Sequence, residues 1–482
     1  MSAEQVFNPF LPSWEYIPDG EPHVFGDRLY LFGSHDRFGA SKMGLNDYTV
    51  WSAPVGDLSD WRMEGVTYRK TQDPANRNGE RALWAPDVAR GKDGKYYLYY
   101  CLADYPRIGV AVCDEPAGKY EFLGYVRDAG GALLGEREGD VLPFDPAVLV
   151  DDDGQIYLYA GSGAPDEKKA RKMNRGSVCV RLANDMMTML SEPVPLIPTL
   201  KDSKGTGFEG HEMFEASSIR KFGKRYYFIY SSIRLHELVY AVSDRPDGGF
   251  SYRGVLVSNG DIPNGIRTGF NAAPRKDIYN YIGNNHGSVV KVGDKYYVFY
   301  HRQTNRYMSS RQACAEEIAM TPDGEFRYAR LTSCGLNGGP LKGKGTYGAY
   351  IACHLQSAAG CVYSAHPMIQ NKKHPAFTQT GGDREENPEQ YISNMREGSS
   401  ALFRSFFFAG PGRISVKTRG KGTGSFSVLD ENGTLLAEIP VSRAAEWTEG
   451  DPVSFDPGEG EKELLFVYHG KGSADFLSFR ME

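Results

Sequence analysis

Five times in its first 300 residues the chain repeats one short pattern. A polar or aromatic residue is followed by a small residue or proline, an aliphatic run, a glycine turn and a tyrosine-rich strand. The copies begin at Asp19, Trp84, Asp145, Glu215 and His286. Their matching tyrosines are Tyr30, Tyr97, Tyr157, Tyr227 and Tyr297, spaced by 67, 60, 70 and 70 residues. A repeat constrains a fold strongly, because one unit cannot bury its apolar faces alone and must stack on its neighbours. Each copy reads as a β-hairpin, with an apolar strand, a turn such as Lys92-Asp93-Gly94 or Asp152-Asp153-Gly154, and a second strand alternating aromatic and aliphatic residues. About 40 residues then remain per unit, room for two further strands and their loops. Four strands repeated five times predict a five-bladed β-propeller, an all-β architecture. Solenoid units are usually shorter, roughly 20–50 residues, and no stretch carries sustained helical periodicity.

Composition narrows the function classes. Of the 482 residues 40% are hydrophobic and 12% aromatic, enough for a packed core rich in β-strands. The net charge of -6, with Lys and Arg scattered among acids, speaks against a nucleic-acid partner. No apolar run reaches the roughly 18 residues of a membrane span, and the first residues lack a basic segment leading into an apolar one. Seven cysteines without paired metal spacing read as reduced, mostly buried thiols, and the expected location is cytoplasmic.

In a propeller the innermost strands line a central channel, so residues at the start of each first strand gather at one mouth. Three of the five are carboxylates from different blades: Asp19, Asp145 and Glu215. Like charges brought together raise one another's pKa, so that one carboxyl stays protonated while another stays ionised. Cleavage of a glycosidic bond needs such a pair, an acid for the leaving oxygen and a base for water. The alternative is that each acid only caps a turn.

In order, Tyr16-Ile-Pro-Asp19, Trp84-Ala-Pro-Asp-Val88, Phe144-Asp-Pro-Ala-Val148, Phe214-Glu-Ala-Ser-Ser-Ile219 and Asn285-His-Gly-Ser288 resemble the five blades of glycoside hydrolase family 43, over about residues 6 to 330. The resemblance implies an inverting hydrolase with Asp19 as general base, Glu215 as general acid and Asp145 as the group that raises the acid's pKa. Base and acid would stand roughly 6.5–9.5 Å apart. Asp19 keeps a Pro-Asp context and is favoured as base over the nearby Glu21. Trp84 resembles a tryptophan beside the sugar subsite, or it is a core residue between blades. Arg311 resembles an arginine that contacts substrate and the acid site, or it makes a surface ion pair. Asp36 either touches a sugar hydroxyl or caps its Ser-His-Asp turn. His286 resembles a histidine that in many members helps hold calcium in the channel, largely through water; otherwise it is structural. Asn284 and Asn285 either contact hydroxyls or form a turn. No organic cofactor is implied.

The propeller is expected over residues 1–335, a linker packed on it over 336–380, and an antiparallel β-sandwich over 381–482, where short strands such as 401–408 and 463–468 alternate with turns. The last part resembles family 6 carbohydrate-binding modules, which stack sugars on paired aromatics. The leading expectation is release of an α-L-arabinofuranosyl or β-D-xylosyl unit from oligosaccharides derived from plant polysaccharides. The alternatives are an endo-arabinanase on the same fold and a sugar-binding propeller without catalysis.

Overall fold

The computed structural model describes residues 5–164, 176–263, 272–370, 373–385 and 387–482. Blade 1 consists of β1 (Glu21–Phe25), β2 (Arg28–Phe32), β3 (Tyr48–Pro54) and β4 (Arg62–Tyr68). Blade 2 consists of β5 (Leu83–Arg90), β6 (Tyr96–Leu102), β7 (Tyr105–Cys113) and β8 (Glu121–Tyr125). Blade 3 consists of β9 (Ala147–Val150), β10 (Ile156–Ser162), β11 (Gly176–Leu182) and β12 (Val194–Pro195). Blade 4 consists of β13 (Met213–Phe222), β14 (Arg225–Ser232), β15 (Glu237–Ser243) and β16 (Ser251–Ser258). Blade 5 has β17 (Val289–Val292), β18 (Lys295–Thr304) and β19 (Tyr307–Ile318), three strands among the described residues. Each blade is an antiparallel meander in sequence order. The turn between its first two strands holds a glycine at positive φ in all five, Gly26, Gly94, Gly154, Gly223 and Gly293, as a tight hairpin requires. Asp151-Asp-Asp-Gly154 is therefore a hairpin turn, and Asp151 is engaged by Lys221 and Tyr226.

The alternating aromatic–aliphatic strands bury both faces. In β6, Tyr97 and Tyr99 join a cluster shared with Leu158 and Val180 of blade 3. Leu98 and Tyr100 turn the other way, to Val50 and Tyr68 of blade 1. Further clusters join blade 3 to blade 4 through Tyr159 and Phe228, and blade 4 to blade 5 through Tyr240 and Val298. Blade 5 meets blade 1 through Phe299, Leu31 and Trp51, closing the ring, with Val6, Phe10 and Leu11 of the N-terminal segment in the same cluster. Each fully buried large apolar side chain contributes about 1.5–3 kcal/mol. The inner strands β1, β5, β9, β13 and β17 run around the axis, as expected from their place in the repeat.

The C-terminal part forms two sheets packed face to face. Phe403, Phe426 and Phe466 of one meet Phe476 and Phe479 of the other. The region expected as a linker contributes more than a connection: Leu341–Lys342 and His354–Gln356 pair with Ser400–Ala409 in one sheet, while Gly345–Gly348 and Ala376–Gln379 join the other. These strands are only two to four residues long, too short to show a period in the sequence. The sandwich core continues into the propeller through Leu235, Ile262, Ile278 and Ile282. On the second sheet Tyr391 and Trp447 stand 5.2 Å apart, with the Arg419 guanidinium 5.0 Å and 4.1 Å from their rings. All seven cysteines are unpaired and six are buried.

Candidate active site

The repeat tyrosines set the register of the channel mouth. Tyr30, Tyr97, Tyr157, Tyr227 and Tyr297 lie opposite His23, Ala89, Leu149, Arg220 and Val290 of the inner strands. Four residues before these stand Asp19, Ala85, Asp145, Ala216 and His286. Asp19, Asp145 and His286 are thus equivalent, whereas Trp84 and Glu215 each precede the equivalent position by one. This corrects the expectation that all five begin the repeat in one register. The cause is a β-bulge in blades 2 and 4, where pairing slips between Trp84 and Asp87 and between Glu215 and Ser218. A bulge re-aims a side chain, and bulges gather beside active sites. The left-handed backbone falls on the equivalent residues, with φ of 57° at Asp19, 36° at Ala85, 44° at Asp145 and 69° at Ala216. Such strain persists only where surroundings enforce it. Here the Ala216 N–H donates to Asp145 Oδ2 at 2.9 Å, and the Ala85 N–H to Ser34 Oγ at 2.8 Å. In blade 5 a side chain at Gly287 would place Cβ 1.8 Å from the Phe299 carbonyl oxygen, so only glycine can follow His286.

Asp19, Asp145, Glu215, Trp84, His286 and Arg311 line one pocket of about 220 Å³, walled further by Phe144, Phe214, Met43, Met308, Asn284 and Tyr363. The three carboxyls are driven apart in acidity. Burial pushes Asp19 up, but Arg311, donating to its Oδ1 at 2.7 Å, outweighs this with help from His286 and leaves it below the usual carboxylate range. Burial raises Glu215 to about 8, and the negative charges of Asp145 and Asp19 reinforce the shift. Burial raises Asp145 to about 6, moderated by His286. One pocket thus holds an ionised acceptor and a protonated donor near neutral pH.

The supporting residues sort themselves by contact. Arg311 is 1% exposed, so it is no surface ion pair. Asp36 does not reach the pocket. It is fully buried, and its carboxylate grips Arg311 through Nε at 2.9 Å and Nη2 at 3.1 Å and also accepts the Gly44 N–H at 2.8 Å. The expected sugar contact is therefore replaced by a positioning role, since the planar guanidinium fork matches a carboxylate better than a hydroxyl does. Trp84 is a pocket wall, anchored by Nε1–H to the Met43 carbonyl at 3.2 Å, and its other side packs against the core between blades 2 and 3. Asn284 donates to Glu215 Oε1 at 3.4 Å. Glu21 turns away from the pocket to Arg220, 2.6 Å from Nη2, which separates it from Asp19.

His301 was not singled out by the repeat. The Asp19 N–H donates to its Nδ1 at 3.3 Å, and its Nε2–H donates to the Asn284 carbonyl at 2.8 Å. These partners fix the neutral tautomer, and burial with Arg311 nearby holds its pKa down at about 3.

The model of glycosyl hydrolases family 43 matches residues 8–326, two thirds of the chain. The chain belongs to glycosyl hydrolases family 43. It is a glycosidase. It is 49% identical over 480 residues, 99% of each chain, to a xylosidase/arabinosidase of Thermoclostridium stercorarium. A family 43 arabinoxylan arabinofuranohydrolase of Bacillus subtilis, solved with cellotetraose, is similar in fold over 98% of this chain and 97% of its own, with TM-score 0.51 and 20% identity. A family 43 β-xylosidase/α-arabinofuranosidase from a compost metagenome, solved with xylotriose in a calcium-free form, is similar over 68% of this chain and 97% of its own, with TM-score 0.51 and 26% identity.

The channel beneath this family 43 pocket also offers donors. His286 Nε2 and Glu21 Oε1 face each other at 3.7 Å, both buried and without a hydrogen-bond partner. One imidazole nitrogen and one carboxylate oxygen fit a hydrated cation held mainly through water, not a dry cage of six to eight oxygens. Burial alone would push His286 down, but Glu21, Asp145 and Asp19 together raise it to about 9. The floor of the pocket is built for positive charge.

Proposed function

We propose that this glycosidase releases a terminal α-L-arabinofuranosyl or β-D-xylosyl unit from oligosaccharides by a single inverting displacement. Asp19 takes the proton of the attacking water. Glu215 gives its proton to the leaving oxygen. Asp145 keeps Glu215 protonated through its charge, and Arg311 keeps Asp19 ionised. The observation that carries the reading is the opposed acidity of Asp19 and Glu215 within one pocket. The pentose is supported by the xylosidase/arabinosidase name of the full-length relative. Terminal cleavage is supported by a pocket of about 220 Å³, below the roughly 300 Å³ at which sites for drug-sized ligands begin. Calcium is part of the proposal: Glu21 and His286 would hold it through water, the ion displacing the imidazolium proton, and its charge would take the place of that proton in favouring the ionised form of Asp19.

The test is hydrolysis of aryl α-L-arabinofuranoside and aryl β-D-xyloside by the wild type and Glu215→Gln, with the product anomer read by proton NMR. Cleavage of at least one with inversion, lost in the variant on unactivated oligosaccharides, is expected. Undiminished oligosaccharide turnover in Glu215→Gln would remove Glu215 from its role, and retention of configuration would exclude the single displacement.

A further inference from the structure

Among the described residues, the pocket contains one from outside the five blades, Tyr363. It lies in the stretch after the propeller, beyond the family-matched residues. This stretch comes back to the channel mouth and is pinned there. Cys361 and Arg275 exchange both backbone hydrogen bonds at 3.0 Å. The Ile282 N–H then donates to the Val362 carbonyl at 3.2 Å, and the Ser364 N–H to the Ile282 carbonyl at 2.6 Å. Gly360 permits the approach, because a Cβ there would fall 2.1 Å from the Arg275 carbonyl oxygen. Cys361, Val362 and Tyr363 are buried in the core cluster that joins sandwich and propeller. The side chain that reaches the pocket is therefore held by packed structure, as a binding wall must be.

A few residues further on, the same segment meets a second depression. A cleft of about 400 Å³ adjoins the pocket and shares Met43, Trp84 and Met308 with it. Ala365 and Gln370 line this cleft, and both are exposed. Besides the shared apolar residues the cleft is lined by Lys42, Glu80, Arg81 and Asp104. An apolar floor with charged and amide rims suits a sugar, whose C–H faces pack on aromatic and thioether groups while its hydroxyls seek polar partners. A sugar seated there would be joined through the scissile bond to the unit in the pocket.

We propose that Tyr363, Ala365 and Gln370 form a wall common to both depressions, with Tyr363 bounding the unit that is cut off and Ala365 and Gln370 bounding the chain that remains. The inference rests on the glycosidase reading of the pocket. It makes the part of the chain that follows the propeller a determinant of which oligosaccharide is accepted, not an appendage.

The decisive variant is Ala365→Trp, which adds bulk at an exposed position and so spares the core. The expected result is that kcat/KM on an arabinose-substituted xylo-oligosaccharide falls at least ten times further than kcat/KM on the aryl pentoside. Equal losses on both substrates, or no loss on either, would overturn the cleft. Affinity provides an independent readout: Glu215→Gln/Ala365→Trp should bind the same oligosaccharide at least tenfold more weakly than Glu215→Gln, and equal affinity would overturn the proposal even if the aryl pentosides are not cleaved. For the pocket, Tyr363→Ala should raise KM for the aryl pentoside at least tenfold, with Tyr363→Phe restoring most of it. A fall in Tm with KM unmoved would assign Tyr363 to packing alone. Glu215→Gln run beside these variants separates the two readings, since full oligosaccharide turnover there would sink the catalytic assignment and leave the wall to be judged by binding.

Discussion

The channel has two layers of carboxylates, Asp19, Asp145 and Glu215 at the mouth and Glu21 and Asp87 below, the lower two lying two residues beyond Asp19 and Ala85, and the layers differ in how their members are partnered. Among the described residues, Asp19 in the mouth layer has Arg311, whereas Glu215 has the distant Asn284 amide and Asp145 has the Ala216 N–H and, at 3.7 Å, His286. In the layer below, each carboxylate is paired: Glu21 with Arg220 at 2.6 Å and Ser218 at 3.1 Å, and Asp87 with His23 at 2.7 Å and the Val148 N–H at 2.8 Å. Asp19 and Asp145 are as buried as Glu21 and Asp87, and Glu215 is half-buried, so burial alone does not make a carboxyl reactive. The partner decides. Where a cation or N–H donors outweigh desolvation the group stays ionised, and where they do not it keeps its proton.

The largest effects belong to the mouth, and there the two roles can be told apart. Asp19→Asn should lower kcat by about 10²–10⁴ on activated aryl glycosides and unactivated oligosaccharides alike, because water must be deprotonated in both. Glu215→Gln should cost a similar factor on oligosaccharides but much less on a nitrophenyl glycoside, whose leaving group needs little protonation. Equal losses for the two variants on both substrates would erase the distinction between base and acid.

Next in size is the pH profile. With Asp19 below the usual carboxylate range and Glu215 at about 8, kcat/KM should stay high through neutral pH and fall on the alkaline side near 8 as Glu215 loses its proton. Asp145→Asn removes a negative charge that favours the protonated acid, so the alkaline limb should move to lower pH. An unmoved limb would show that desolvation and Asp19, without Asp145, set Glu215. The two carboxyls titrate together, so the limb belongs to the pair.

Much of this was legible in the chain itself. The tyrosine repeat announced five hairpins, because alternating aromatic and aliphatic residues can bury both faces only between neighbouring blades. The strand-start acids announced the pocket, because a ring carries equivalent positions to one axis. The one-residue offset of Glu215 and Trp84 was not legible, since a bulge depends on pairing and leaves no periodic trace. Asp36 read as a sugar contact or a turn cap because its partner, Arg311, is 275 positions away. His301 and Tyr363 carry no local signal at all: the first takes its meaning from the Asp19 N–H, the second from a return of the chain across the channel mouth. Contacts made by long-range closure are invisible to a reading built on period and spacing.

The smallest expected effect on rate, and the sharpest test of the contrast between layers, is Glu21→Gln. Glu21 does not line the pocket, so the variant should keep kcat within about tenfold, the residual loss arising because Glu21 helps hold charge on His286, which in turn favours ionised Asp19. Its stability should suffer more. Removing one partner of a buried pair costs up to about 3–5 kcal/mol, here eased because the Arg220 guanidinium keeps the carbonyls of Val289, Ile219 and Pro22. A thermal melt should therefore fall by several degrees while the alkaline limb stays near 8. The reverse outcome, a large loss of kcat with an unchanged melt, would move Glu21 into the catalytic layer and return the choice of base in blade 1 to these two acids. The layers would then differ in depth but not in kind.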